Sequence, residues 1–262
     1  LVFGSVIIAV IIGLTFFAPQ PQPKQAERET KPMVSVSTFS LFEVANAVAG
    51  DAIDIHSIVP LGSDAHMFSP NPTQVADISK SAFFIYNGAG FETWAESIKN
   101  TLTKTTQVID MSQHVALQKG EVEHHDDHAD EADHDTEAHG EHDHHHGAYD
   151  PHYWLDIDNM IKMTQTMDKE FSKLLPAKAE QFHKNGASYI AELQKLKSEY
   201  ATGLSECQNR TLVSNHDAFG YLADANHLET ISVIGLSSDE QPNAQTMAHV
   251  VEIVKEHGIK TI

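Results

Sequence analysis

The sequence predicts an α/β protein: two units of parallel strands alternating with helices, joined by one long helix. Three observations predict it. Strand-like and helix-like periods alternate at βαβ spacing over residues 33–110 and again from residue 211 onward. Residues 82–86, Ala-Phe-Phe-Ile-Tyr, form a continuous apolar run, the pattern of a strand covered on both faces. Between the two series, residues 177–204 carry Phe182, Tyr189, Ile190, Leu193, Leu196 and Tyr200 at helical spacing.

Taken in order, residues 33–38 have strand character and 41–48 are helical, stopped by Gly50. A strand at 54–59 leads into a loop at 61–70 that carries His66. Asn71-Pro72 is a helix start, with Asn at the cap and Pro in the first helical position, so 73–80 is a helix. The strand at 82–86 is turned by Asn87-Gly88. A helix at 91–103 around Trp94 and a strand at 107–110 follow. After an interruption, an amphipathic helix at 157–175 ends before Pro176, and the long helix begins. The second series is a strand at 211–214 delivering His216, a helix at 219–225, a strand at 229–234 and a helix at 243–257. A strand opening at Lys260 is cut short at Ile262. The expected architecture is therefore two Rossmann-like α/β lobes bridged by one long helix, with a cleft between them. In open sheets of this kind, ligands bind beyond the carboxyl ends of the strands.

The division that follows has six parts. Residues 1–18 are an apolar run that reads as a secretory signal peptide, or as the runner-up an uncleaved membrane anchor. Residues 19–32 are a polar, Pro-containing linker. Residues 33–175 form an N-terminal lobe, interrupted at 121–147 by a histidine-rich loop with no apolar periodicity. Residues 176–205 are the linking helix, and 206–262 a truncated C-terminal lobe. This places the protein in the periplasm or elsewhere outside the cytoplasm.

Charge narrows the partners. The 262 residues carry 37 acidic against 17 basic side chains, a formal net charge of −20. Nucleic acid needs a basic face and is excluded as the main partner; cations are attracted. Of the 18 histidines, half lie between His124 and His146, interleaved with Asp and Glu. The single cysteine, Cys207, excludes a Cys-based zinc site and an internal disulfide, and reads as a small apolar residue near a helix end.

His66, His152 and His216 are the candidate metal ligands. Taken singly, a loop histidine is more often a solvated or hydrogen-bonded residue. These three share placement near strand ends, and one adjoins the metal-loving tract. Neutral imidazole is the commonest metal ligand. Zinc accepts it at about 2.0–2.1 Å in tetrahedral sites, so three histidines leave one position for a carboxylate or water.

The segments around them also resemble a known family. Asp64-Ala65-His66-Met67-Phe68-Ser69-Pro70, Asp150-Pro151-His152-Tyr153-Trp154-Leu155-Asp156 and Asn215-His216-Asp217-Ala218-Phe219-Gly220-Tyr221 resemble the metal-binding segments of the zinc and manganese solute-binding proteins of ABC transporters, the ZnuA-like group. The likeness runs from about Met33 to Ile262. It implies two lobes, a rather rigid linking helix, and a metal ion held between the lobes by His66, His152 and His216. It also implies a fourth ligand, often a carboxylate from a second-lobe segment past residue 262. Three imidazoles favour zinc, whereas manganese suits oxygen-rich sites.

The expected function is capture of Zn²⁺ by a monomer that delivers it to an ABC-type membrane permease. A manganese-specific protein is the alternative, as is a zinc buffer or adhesin that meets no permease. An enzyme is not expected. A zinc hydrolase would need a general base, yet the chain has no His-Glu-x-x-His helix and only Asp217 adjoins a candidate ligand. Asp150, Asp156 and Asp217 are each either acceptors that orient an imidazole or ordinary loop and cap carboxylates. Trp154 and Phe219 are expected to pack beneath the site, and Glu240-Gln241-Pro242 to be a loop.

Overall fold

The computed structural model of the chain describes residues 30–102, 104–120, 149–242 and 244–259. The expected signal or anchor, most of the linker, the histidine-rich loop and the final strand lie outside the described residues.

The first lobe runs β1 (Met33–Val36), α1 (Phe39–Ala49), β2 (Asp54–Ser57), α2 (Pro72–Ile78), β3 (Phe83–Tyr86), α3 (Thr93–Lys99) and β4 (Gln107–Asp110). Its strands form one parallel sheet in the order β2-β1-β3-β4. The register sets Val34 between Ile55 and Phe83, and Ile85 beside Ile109. Every residue of β3 is buried, as the apolar run requires. Its alternate side chains divide between two cores. Phe83 and Ile85 join Val34, Val36 and α1 on one face. Phe84 and Tyr86 join Ile58, Ile78 and Trp94 on the other.

Local chemistry explains the helix boundaries. The Asn71 side chain accepts from the Thr73 and Gln74 amides, and Gln74 Oε1 accepts from the Asn71 amide, a complete capping box next to Pro72. Gln74 Nε2 then donates 2.9 Å to the Ile58 carbonyl, tying α2 to the start of the His66 loop. Helix α1 ends at Gly50, which takes φ +57. The helix expected at 91–103 is shorter, Thr93–Lys99. Glu92 sits at φ −102, ψ 87, outside the helical region, because its side chain turns into the interior instead of capping α3. The strands β1 and β2 end two residues earlier than expected, and α2 closes at Ile78 through Ser79.

Two antiparallel-packed helices cover one face of the sheet. Asp156 caps α4 (Ile157–Leu174) by accepting from the Asp158 amide. After a 3₁₀ turn at Pro176–Lys178, α5 (Ala179–Leu204) begins. Phe182, Gly186, Tyr189 and Leu193 recur at helical spacing; Phe182, Gly186 and Leu193 are buried. Gly186 lies over Asp168, and Asn185 Nδ2 donates to the Val48 carbonyl. The apolar periodicity continues through Leu196 and Tyr200, which are exposed.

The second lobe comprises β5 (Thr211–His216), α6 (Gly220–Asn226), β6 (Glu229–Ile234) and α7 (Ala244–Glu256), with β5 and β6 parallel. Strand β5 runs two residues further than expected because its partner continues, pairing His216 with Ile234. The Arg210 guanidinium donates to the carbonyls of Leu204, Asn226 and His227, binding the end of α5 to the end of α6. Cys207 is exposed, not packed, just past α5. No helix among the described residues is long and apolar enough to cross a membrane.

Candidate metal centre

Each lobe sends its loops to the same end of the sheets. His66 lies in the loop after β2, His152 just ahead of α4, and His216 is the last residue of β5. Strand β1 pairs with β2 on one side and β3 on the other, all parallel, so the order in which strands are added reverses at β1. A crevice opens there beyond the carboxyl ends.

The three imidazoles meet in this crevice. One ring nitrogen from each lies within 4.8 Å of the others. His152 Nε2 is 3.2 Å from His66 Nε2. Two ligands at 2.0–2.1 Å in a tetrahedron are roughly 3.3 Å apart, so this spacing suits a shared ion. His152 is buried, and the other two are half-buried.

His152 is the most firmly held. Its Nδ1 lies 2.8 Å from Asp150 Oδ1, which also accepts from the His152 amide at 2.9 Å. Donating Nδ1–H to that buried carboxylate leaves the Nε2 lone pair aimed at His66. The second lobe holds Asp150 in turn: Tyr221 Oη donates 2.8 Å to its carbonyl and accepts from the Gln118 amide. Of the three candidate carboxylates, Asp150 therefore orients the His152 imidazole, while Asp156 is a helix cap. The Asp217 amide donates to the Gly235 carbonyl.

The His66 loop is tied down on both sides. Asp64 Oδ1 accepts from the His66 amide, and Asp64 Oδ2 accepts from Ser238 Oγ of the second lobe at 2.7 Å. That second-lobe loop is itself folded around Glu240, whose Oε2 accepts from the Gly235 amide at 2.8 Å. The aromatic floor is Phe91 and Trp154. The Phe91 ring stands edge-on to His66 at 4.4 Å, and Trp154 lies 5.1 Å from Phe91 and 5.4 Å from His152. Trp154 thus packs as expected, and Phe91 packs with it; Phe219 stands at the N-terminal end of α6. The sequence marks no role at the site for Phe91, Asp64 or Ser238. Their roles come from contacts across as many as 174 residues, which no local pattern encodes.

Burial, and secondarily the neighbouring His152 imidazole, lowers the His66 pKa to about 4; the same causes lower that of His216. Both rings resist protonation in the folded, metal-free protein, while in the unfolded chain they bind protons near pH 6.5. For His66 the unfolded state then holds more protons between those limits, so its contribution to stability is full above pH 6.5 and is lost as pH falls toward 4; His216 acts in the same direction. The metal-free protein is expected to lose more of its urea midpoint between pH 7 and pH 5 than His66→Gln does. An equal loss in the variant would assign the pH dependence elsewhere.

Comparison with known proteins agrees with this architecture. The family of periplasmic component A of zinc-uptake complexes, ZnuA, matches residues 34–262. The chain is 32% identical over 262 residues to the zinc-binding protein AdcA of Streptococcus pyogenes serotype M3, and 33% identical over 259 residues to the zinc-binding lipoprotein AdcA of Streptococcus pneumoniae. Each match covers 98% of this chain but 50% and 49% of the relative, so the chain spans about half the length of the curated relatives it matches. The crystal structure of the Zn(II)-bound ZnuA-like domain of Streptococcus pneumoniae AdcA superimposes with a TM-score of 0.68 at 29% identity, covering 88% of this chain and 77% of that one. Fold, crevice and sequence together make this chain a member of the ZnuA family of zinc-uptake solute-binding proteins.

Proposed function

We propose that this protein binds one zinc ion through His66, His152 and His216 outside the cytoplasm and delivers it to the permease of an ABC-type importer. The observation that carries the reading is the convergence of three imidazole nitrogens, with two Nε2 atoms 3.2 Å apart. Residues 33–175 and 206–262 are the two jaws of the site, and 176–205 is the strut between them. An all-imidazole donor set favours zinc over manganese. The AdcA relatives, named as zinc-binding proteins, support the same choice. A hydrolase has less support. The Asp150 carboxylate engages Nδ1 of His152, the nitrogen turned from the other histidines, where it orients the ring.

The test is a zinc titration against a strong chelator, on the full chain and on a chain lacking residues 121–147. One tight equivalent is expected in both, with weaker equivalents in the full chain alone. Loss of the tight equivalent on deletion would move the primary site to the histidine-rich stretch and overturn the reading.

A further inference from the structure

Glu92 is buried to 3% exposure, yet it lies on none of the motifs that mark the metal site. Its carboxyl makes four bonds. Oε1 accepts from Ser37 Oγ, from the Asn87 amide at 3.0 Å and from Asn87 Nδ2 at 3.0 Å; Oε2 accepts from the Gly88 amide at 3.1 Å. The group thereby clamps the end of β1 to the end of β3, at the point where the crevice opens.

Two paths lead from this clamp to the imidazoles. The first runs through the turn Gly88-Ala89-Gly90, where all three residues take positive φ (+75, +52 and +83). Such a conformation is unfavourable for alanine and persists only where surrounding bonds impose it. At Gly88 a Cβ would meet Asp110 Oδ1 at 2.0 Å, so a side chain there would displace Asp110 as well as strain the backbone. Glu92 closes this turn by its bond to the Gly88 amide. The turn presents Phe91, whose ring meets His66 at 4.4 Å and Trp154 at 5.1 Å. The second path runs through Asn87, whose carbonyl and Oδ1 accept from Tyr153 Oη at 2.9 and 3.1 Å. Tyr153 is fully buried and adjoins His152.

We propose that Glu92 is a positioning residue for the first-lobe half of the metal site, holding Phe91 against His66 and, through Asn87 and Tyr153, holding His152 in register with it. This inference rests on the zinc-binding reading above and extends it to a residue that touches no ligand. A core carboxyl in that place is otherwise costly: burial raises its pKa, against the opposing bonds from Ser37, Asn87 and Gly88. An apolar residue would fill the space without that cost but could accept none of the four bonds.

The test is Glu92→Gln in the full chain. Glutamine keeps the shape, but it has one acceptor oxygen, and its NH₂ then confronts either the Gly88 amide or the three donors on Oε1. Zinc affinity by chelator competition and the urea midpoint of the metal-free protein are measured together. Ile78→Ala, in the core on the opposite face of the sheet from α1, serves as a purely structural comparison. Glu92→Gln is expected to weaken zinc binding about tenfold, the scale of supporting residues around metal ligands. Ile78→Ala is expected to lower the midpoint and leave the affinity unchanged. Equal affinity in wild type and Glu92→Gln would overturn the proposal, as would equal weakening in both variants. Should Glu92→Gln fail to fold, Phe91→Leu tests the first path without disturbing the clamp, with severalfold weaker binding expected and unchanged binding overturning it. His152→Ala in the same assay separates the two readings. If it keeps tight binding, the cleft site falls and this inference with it. If it loses tight binding while Glu92→Gln does not, the positioning role alone is wrong.

Discussion

His152→Ala is expected to weaken zinc binding at least about a hundredfold, roughly 3 kcal/mol. Three features make it the most damaging of the histidine substitutions. Its ring is central, with centroids 5.3 Å from His66 and 5.4 Å from His216. It is the buried member of the three. It is also pre-oriented: Asp150 holds Nδ1, and so little conformational freedom is lost when an ion arrives. Alanine removes a ligand and leaves the 5%-exposed Asp150 carboxylate without its imidazole partner. Chelator competition reads the loss directly. A titration that superimposes on wild type would mean that zinc is not held between the lobes.

Phe171→Ala is expected to cost about 3–5 kcal/mol of unfolding free energy while leaving the number of tight zinc sites unchanged. Phe171 has no exposed surface. Its ring sits 6.4 Å from Phe83 of β3 and 6.1 Å from Phe182 of α5, joining sheet and long helix through α4. Deleting it opens a cavity where three elements meet, and a helix pinned on both sides has little room to collapse into the space. Urea unfolding measures the loss through the midpoint at constant slope. A loss below about 1 kcal/mol would show that α4 and α5 repack freely, contrary to a rigid connection between the lobes.

Where the elements lie was largely legible from residue types because local chemistry decides it. Asn71 and Pro72 mark the start of α2 since Asn can accept two amides and Pro needs no donor there. The run at 82–86 marks β3 because a strand covered on both faces needs no polar residue. The helix around Trp94 was overextended for the opposite reason. Glu92 has good helical propensity, but its carboxyl is claimed by partners up to 55 residues away, and tertiary bonds override propensity. The periodicity on α5 holds through Leu196 and Tyr200, yet both are exposed, since periodicity fixes which residues share a face and not what covers it.

The sequence by itself determined the α/β alternation, the long helix between two lobes, and His66, His152 and His216 as the residues to watch. Periodicity, caps and ligand chemistry are properties of residue types at short spacing. Only the tertiary structure decided which carboxylate orients an imidazole, that Phe91 forms the floor, and that Glu92 clamps two strand ends. In the sequence Asp150, Asp156 and Asp217 are equivalent neighbours of motif residues. In the fold one faces Nδ1 of His152 at 2.8 Å, one caps a helix, and one joins a strand end through its amide. Direction and distance between side chains far apart in the chain are fixed by packing of the whole core, and no local pattern carries them.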